Sequence, residues 1–145
     1  MGEAVAEERI SVSGIPRGAV DSMWNMVVDH LQKGLEYSNG EITIEDIYEG
    51  LKSRDMQLWG AFSNGGECVA SMVTEIINYP RMRSCRMIVV GGGHMKHWLD
   101  YQPEFMRWAK ENGCDRVEAY CRDGMARRLE QFGYKKLYNL CGVDL

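Results

Sequence analysis

Apolar and polar positions along this chain repeat with two different periods, which predict an alternation of helices and strands. Over Ala19–Tyr37 the apolar residues recur every three or four positions, the spacing of one face of an α-helix. Met56–Phe62 and Cys68–Ile77 are apolar runs of strand length, and the turn signal Asn64-Gly65-Gly66 lies between them. The middle of the chain therefore predicts an antiparallel hairpin that follows a helix.

Two shorter segments complete the first half of the chain. Ile10–Ile15 alternates apolar and small polar residues and predicts a first strand, which Pro16 ends. Thr43-Ile44-Glu45-Asp46 resembles a capping box, with Asp in the last position, and predicts the start of a second helix. Met1–Arg9 is acidic and predicts a mobile leader, so we expect one domain over residues 10–145.

The second half of the chain predicts a parallel crossover. Arg83–Val90 is predicted as a third antiparallel strand, and Gly91–Gly93 follow it. A helical face extends over Trp98–Asn112, and Pro103 leaves two alternatives: the helix bends there, or Pro103 lies in its first turn after a long loop over Gly91–Gln102. Three elements complete the chain, namely a strand over Arg116–Cys121, a helix over Asp123–Phe132 that Gly133 ends, and a final strand over Tyr134–Val143.

This order of elements predicts the fold class. The series β-α-α-β-β-β-α-β-α-β combines an antiparallel meander with a βαβ crossover, which indicates an α/β (α+β) fold. We expect a mixed, mostly antiparallel sheet of about six strands, flanked on both faces by four helices. Because Tyr134–Val143 is apolar and is predicted as an exposed edge strand, it also predicts a homodimer.

Composition excludes several classes of protein. A net charge of −4 and a pI of about 5.4 do not provide the basic face of a dedicated nucleic-acid-binding protein. No apolar run approaches the roughly 20 residues that a membrane span needs. The five cysteines are scattered and form no CxxC pair, so we expect no metal site and interpret the thiols as reduced, as in a cytoplasmic protein.

The junction between the third antiparallel strand and the next helix is the most informative candidate site. A strand that opens through glycines onto a helix leaves backbone N–H groups free at the helix start, which suits a phosphate group. Gly91–Gly93 is therefore a candidate phosphate cradle, with His94 or Lys96 adding charge; the alternative is a plain turn. His94 and His97 are candidate bases or substrate ligands, and the alternative for both is an ordinary loop position.

Two short motifs resemble a known family. Trp108-Ala109-Lys110-Glu111-Asn112-Gly113-Cys114 is similar to the W-A-x-x-x-G end of the central helix in the GNAT N-acetyltransferase superfamily. Leu129-Glu130-Gln131-Phe132-Gly133-Tyr134 is similar to that family's later L-Y-E-x-x-G-F/Y motif. In layout the resemblance covers about Ile10 to Leu145. The glycine run, Trp98 and Arg122–Leu129 are also similar to small GNAT-like proteins that tailed phages and prophages encode.

The resemblance implies acetyl-CoA as the cofactor. In the family, the pyrophosphate lies against backbone N–H groups at the start of the central helix, and the pantetheine pairs with the splayed end of the preceding strand. An arginine after the fifth strand is expected to meet a 3′-phosphate or a pantetheine oxygen, and the alternative for it is a surface position. The expected cofactor-binding residues are Val89, Val90, Gly91, Gly92, Gly93, His94, Lys96 and Arg122.

The resemblance also implies acyl transfer from a thioester to an amine, which needs a base and an acid. Glu75, near the end of the second hairpin strand, and His94 are the expected bases, and an ordinary surface carboxylate is the alternative for Glu75. The family's frequent tyrosine acid is replaced here by Leu129, so Tyr134 or Tyr138 is the expected substitute.

A second departure from the family concerns the loop. Aligned backward from Gly113 without gaps, the family's two loop glycines fall on Lys96 and Trp98, and the glycines of this chain come earlier. The close backbone approach that glycine permits is then lost at the family's positions.

The function that follows from the resemblance is transfer of an acetyl group from acetyl-CoA to an amine of a small molecule or a protein. One alternative is a catalytically silent binding or assembly protein of phage origin that contacts a phage or host protein. Another is a sensor that binds the cofactor without turnover. We expect no nucleic-acid or membrane partner, and a location in the bacterial cytoplasm or in a phage particle.

Overall fold

The structure, a computed structural model, describes residues 9–93 and 95–145. The expected leader, apart from its last residue, and His94 lie outside these residues. The strands are β1 Ser11–Ile15, β2 Met56–Phe62, β3 Cys68–Asn78, β4 Arg83–Gly92 and β5 Arg116–Ala119. The α-helices are α1 Val20–Leu35, α2 Ile44–Ser53, α3 Met95–Asp100, α4 Gln102–Glu111 and α5 Asp123–Leu129.

The strands form one sheet in the order of the chain, β1-β2-β3-β4-β5. The first three pairings are antiparallel, and β5 pairs with β4 in parallel, after the crossover through α3 and α4. The expected mixed, mostly antiparallel sheet is therefore confirmed. The expected capping box is also present, since the Thr43 side chain accepts from the Asp46 N–H and the Asp46 carboxylate accepts from the Thr43 N–H.

Helices cover both faces of the sheet, which separates two apolar cores. On one face α1 and α2 pack through a stripe of buried residues, Val20, Val27, Leu31, Ile47 and Leu51. On the other face α3 and α4 pack around Trp59, with Phe105 and Trp108 edge-on to its ring at 5.5 and 4.9 Å between centroids. Burial of both faces is what lets β2 and β3 be apolar at consecutive positions.

Helix α1 lies unusually close to the end of β4. A Cβ atom added to Gly91 would overlap the backbone carbonyl oxygen of His30, and one added to Gly34 would come within 2.6 Å of the Val90 carbonyl oxygen. A Cβ at Gly92, where φ is +98°, would come within 2.7 Å of the Ala70 Cα atom. Gly91 and Gly92 are therefore residues of β4 and not part of a loop, and contact between backbones accounts for both.

Pro103 lies in the first turn of α4, as the second of the two alternatives predicts. The long loop over Gly91–Gln102 is wrong, because Met95–Asp100 forms α3. Backbone hydrogen bonds continue across the junction, from Tyr101 to His97 at 3.0 Å and from Phe105 to Tyr101 at 3.0 Å. A proline cannot donate to the carbonyl four residues earlier, so one helical segment is divided into two and the helix count becomes five.

The predicted final strand Tyr134–Val143 is wrong. Within the described ranges, β5 is the last strand, and residues 135–145 take part in no backbone hydrogen bond. Apolar character favours a strand only where a neighbouring edge accepts its hydrogen bonds, and this segment lies against none. The sheet therefore has five strands in place of about six.

Among the helices in the described parts of the chain, none is long and apolar enough to cross a membrane.

The close approach of α1 to β4 can be tested by one methyl group. We expect Gly91→Ala to lower the free energy of unfolding by about 3 kcal/mol, since the new Cβ displaces the α1 backbone. Gly93→Ala is the matched control: its Cβ meets nothing within 4 Å, so we expect a change within about 0.5 kcal/mol. Urea unfolding followed by circular dichroism measures both, and equal midpoints would contradict the packing described here.

Candidate functional site

The pairing of β4 with β5 ends before β4 does, and we call the place beside Ile88–Gly92, beyond the last pair, the opening. The two strands pair from Ser84 with Arg116 to Met87 with Ala119, and β4 continues to Gly92. Over Val89–Gly92, β4 still pairs with β3 on its other side. One edge of this part of β4 is therefore without a partner strand among the described residues.

A β-bulge lies where the two strands separate. The β3–β4 register passes from Val73 opposite Val89 to Thr74 opposite Met87, so Ile88 is one extra residue on β4. A bulge bends its strand and increases the local twist. Since β5 ends at Ala119, opposite Met87, the inserted residue is the first of β4 beyond the β4–β5 pairing.

Helix α1 and the β5–α5 connection border the opening. Val89 is buried beneath α1, where Gly34 approaches Val90. Just beyond the end of α1, the Tyr37 ring lies 4.1 Å below the guanidinium of Arg122, which precedes α5. This cation–π contact places the positive charge of Arg122, an expected cofactor-binding residue, beside the opening.

The three glycines of the expected phosphate cradle differ in their surroundings. Gly91 and Gly92 face neighbouring backbone, whereas a Cβ at Gly93 would meet no atom within 4 Å. Lys96 is exposed in the first turn of α3. The open space at Gly93 and the charge of Lys96 fit an anionic group, and His94 lies outside the described residues.

Glu75 and the glycines lie toward opposite ends of the sheet. Glu75 is opposite Arg86, five residues before Gly91, which corresponds to about 16 Å along an extended strand. Its carboxylate accepts from the Arg54 Nη2 atom at 2.9 Å, and its side chain is 19% exposed. The last β4–β5 pair, Met87 with Ala119, forms the vertex of the opening, and Glu75 lies closer to this vertex than to the glycines.

A polar cluster that the sequence analysis did not single out lies at the vertex of the opening. The Glu118 carboxylate, 9% exposed, accepts from Tyr79 at 2.7 Å, from Arg86 at 3.2 Å and from Arg116 at 2.8 Å. Arg86 lies opposite both Glu75 and Glu118, so these three side chains share one face of the sheet.

The hydrogen bonds and charges within this cluster shift the pKa values of Glu118 and Tyr79. Burial acts to raise the pKa of Glu118, but the Tyr79 hydrogen bond and the charges of Arg86 and Arg116 lower it below its ordinary value. The hydrogen bond to Glu118 raises the pKa of Tyr79. Glu118 is therefore a fixed carboxylate that holds β4 and β5 together, and it is a weak proton acceptor.

Tyr134 and Leu129 occupy the apolar core on the α4 side. The Tyr134 hydroxyl donates to the Gln102 Oε1 atom at 2.6 Å, and burial raises the pKa of this tyrosine. Leu129 is 3% exposed and belongs to the core around Trp59. A tyrosine with a raised pKa and an occupied hydroxyl is a weaker acid than a free one. Tyr138, by contrast, is 64% exposed.

Sequence signals for the missed residues exist but are weak. Arg86 interrupts an apolar strand, and Arg116 and Glu118 are two apart, so they share one face of a strand. No such signal marks Ile88, since a bulge exists only in the register between two strands. The described ranges also contain no group of three or more metal-ligating side chains.

The polar cluster predicts a dependence of stability on Glu118 and on pH. We expect Glu118→Gln to lower the free energy of unfolding at pH 7 by about 2 kcal/mol, less than for a fully buried pair because Arg86 and Arg116 are 20% and 31% exposed. The pKa of Glu118 is lowered on folding, so its contribution is present above its ordinary value of 4.5 and is lost as the pH falls below that value.

Urea unfolding at pH 7 and at pH 3 measures this difference, and we expect the gap between wild type and Glu118→Gln to shrink at the lower pH. Glu130→Gln, at an exposed position, is the control with little expected change. A gap that stays the same at both pH values would contradict the role of the ionised carboxylate.

Comparison with known proteins gives matches at the level of structure. No protein-family model matches the chain, and no curated protein matches its sequence. An aminoglycoside acetyltransferase from an uncultured soil metagenomic sample, solved with sisomicin, has a TM-score of 0.67 at 8% identity, over 94% of this chain and 97% of its own.

Two further acetyltransferase structures agree with the first. A predicted acetyltransferase from Clostridium acetobutylicum, solved with acetyl-CoA, has a TM-score of 0.67 at 10% identity, over 94% of this chain and 96% of its own. An acetyltransferase from Trypanosoma brucei has a TM-score of 0.65 at 11% identity, over 94% of this chain and 100% of its own. At such low identity these likenesses establish architecture, and they agree with the mixed, mostly antiparallel sheet. The chain therefore has the fold of the GNAT-type acetyltransferases.

Proposed function

We propose that this protein is an acetyl-CoA-dependent N-acetyltransferase that acts on an amine. The observation that carries the proposal is the opening beside β4, where β5 ends opposite Met87 and one edge of Ile88–Gly92 has no partner strand among the described residues. An unpaired edge offers backbone N–H and C=O groups in a fixed row. That row suits a ligand with amide groups of its own, and the pantetheine arm of acetyl-CoA carries two.

The residues around the opening fit the rest of the cofactor. Val89 and Val90 form the β4 wall, and Gly91 and Gly92 let α1 and β3 pack against that wall. Beyond it, Gly93 and Lys96 provide open space and positive charge for the phosphates. Arg122 on the other border adds a second positive charge, already oriented by the Tyr37 ring.

When bound, acetyl-CoA supplies a thioester whose C–S bond breaks as the amine nitrogen bonds to the acetyl carbon. The protein has to remove a proton from the ammonium and stabilise the carbonyl oxygen. We assign the base to Glu75 or His94. The Arg54 ion pair orients Glu75, and the side chain shares a sheet face with the vertex of the opening. The free N–H groups of β4 beyond Met87 are the donors for the carbonyl oxygen.

Tyr134 is the proposed acid for the leaving thiolate. It can act only if its hydroxyl leaves Gln102, because that hydrogen bond uses its proton. The same observation, together with the burial of Leu129, favours the alternative in which the scaffold binds its ligand without catalysis. A phage origin and a phage or host partner for such a scaffold stay predictions from the sequence.

Calorimetric titration of acetyl-CoA into the purified protein tests the cofactor site. We expect micromolar binding, and we expect Gly93→Asp to weaken it about tenfold, because its carboxylate would repel the phosphates; tenfold corresponds to about 1.4 kcal/mol. Gly18→Asp is the matched control, since Gly18 is exposed, has no atom within 4 Å of an added Cβ and lies far along the chain from the opening. Circular dichroism shows that both variants are folded.

Turnover separates the enzyme from the silent scaffold. Release of free thiol is measured with a panel of small amines and lysine-containing peptides. Thiol release above the rate without acceptor supports the transferase, and binding without release supports the scaffold or the sensor. Absence of binding at millimolar acetyl-CoA would overturn both the cofactor site and the proposed reaction.

A further inference from the structure

We propose that the acceptor amine carries a carboxylate, as an α- or β-amino acid does, and that Arg86 at the vertex of the opening binds this group. The inference rests on the proposed acetyl transfer and names the class of its acceptor. Two features carry it: the polar face of β5, and the partners of the charged side chains on that face.

Side chains of β5 and of the residues after it alternate between two environments. Val117 and Ala119 pack against the core beside α4. No residue of β5 belongs to the apolar core beneath α1 and α2, and the side chains on that face form a polar row, which we call the β5 row: Arg116, Glu118, Tyr120 and Arg122. The row continues past the strand, since the Arg86 guanidinium lies 4.7 Å from the centre of the Tyr120 ring and Arg122 contacts Tyr37.

Positive charge exceeds negative charge along the β5 row. Arg86, Arg116 and Arg122 are opposed by Glu118 and by one further carboxylate, that of Asp123 in the first turn of α5. The Glu118 carboxylate is 9% exposed and already accepts from three side chains. A ligand at this face therefore meets arginine charge more readily than carboxylate charge, which favours an anionic group and disfavours a polycation.

Arg86 has a donor left for such a group. Its Nε atom donates to Glu118 at 3.2 Å and its Nη2 atom to the Tyr79 hydroxyl at 2.8 Å, while its Nη1 atom takes part in no hydrogen bond within the described chain. Its side chain is 20% exposed. Because Glu118, Tyr79 and the Tyr120 ring already fix the guanidinium, binding a carboxylate costs it little conformational freedom.

The position of Arg86 beside a proposed base sets the length of the acceptor. Arg86 lies directly opposite Glu75, one of the two bases assigned above. Opposite residues on antiparallel strands have Cβ atoms about 4.5–5.5 Å apart. An acceptor with its amine at Glu75 and its carboxylate on Arg86 therefore has both groups close together, as in an α- or β-amino acid. Met87, the next residue of β4, is at the vertex, so both groups lie at the inner end of the opening.

Acceptor pairs that differ only in the carboxylate test the proposal on the wild-type chain. Thiol release from acetyl-CoA is measured with the common L-amino acids and β-alanine, each beside its own amide, and with spermidine as a polycationic amine. We expect kcat/KM to be about tenfold higher for the best amino acid than for its amide, and spermidine to be the poorest acceptor. An amide or spermidine that equals or exceeds the acids overturns the proposal and leaves the transferase reaction intact.

Substitution of Arg86 tests the residue itself. We expect Arg86→Gln to bring the ratio of acid to amide down to about one. Since this change removes a charged partner of Glu118, the double variant Arg86→Gln/Glu118→Gln repeats the test without an underpaired carboxylate. Arg83→Gln is the matched control, because Arg83 is on the same strand but lies near Gly113 and Asp55 on the α4 side, and it should keep the ratio. A ratio that survives both Arg86 variants overturns the assignment.

Binding of the acetylated products gives a readout that needs no turnover. NMR titration of the ¹⁵N-labelled protein with N-acetyl amino acids and their amides follows the Arg86 Nε–H signal, which is identified by its loss in Arg86→Gln. We expect this signal to shift with the acids, and the amides to bind about tenfold more weakly. Such binding without thiol release supports the carboxylate site and overturns the transferase. Equal binding of acid and amide, or no binding of any acid, overturns this inference even where acetyl-CoA binds.

Discussion

Strand β4 lies between two strands that pair with it over different lengths, and the rest of the structure depends on this difference. It pairs with β3 along most of its length but with β5 only as far as Met87. One inserted residue, Ile88, changes the direction of the strand at that point. The bulge therefore separates a closed part of the sheet, which is a packed core, from an open part, which is the candidate cofactor site.

The open part of β4 is stable because α1 lies directly on it. The backbones meet at Gly91 and Gly34, where no side chain fits between helix and strand. An edge without a strand partner would otherwise fray, and the close helix keeps it in place. This packing also changes the interpretation of Gly91–Gly93 as a phosphate cradle. Two of its three residues are explained by contact between backbones, and Gly93 alone combines an absent side chain with open space.

Charge compensates for the shortness of the β4–β5 pairing. A four-residue parallel pairing has few backbone hydrogen bonds. The ion pair of Glu118 with Arg86 joins β5 to β4 at this point, and the ion pair of Glu118 with Arg116 lies within β5. The architecture is shared with acetyltransferases at very low sequence identity. Because one fold supports several activities, the reaction has to be argued from the residues of the opening.

The sequence by itself determined the order and type of most elements. The apolar periods predicted α1, α2 and the hairpin of β2 and β3, because these patterns depend on neighbouring residues only. It also placed the candidate cofactor region at the end of β4. Tertiary structure decided the rest: the bulge at Ile88, the reason for Gly91, the cluster around Glu118 and the unpaired segment after Tyr134. Each of these depends on which strand or helix lies alongside, and a strand's partner is set by contacts between distant parts of the chain, which local pattern does not contain.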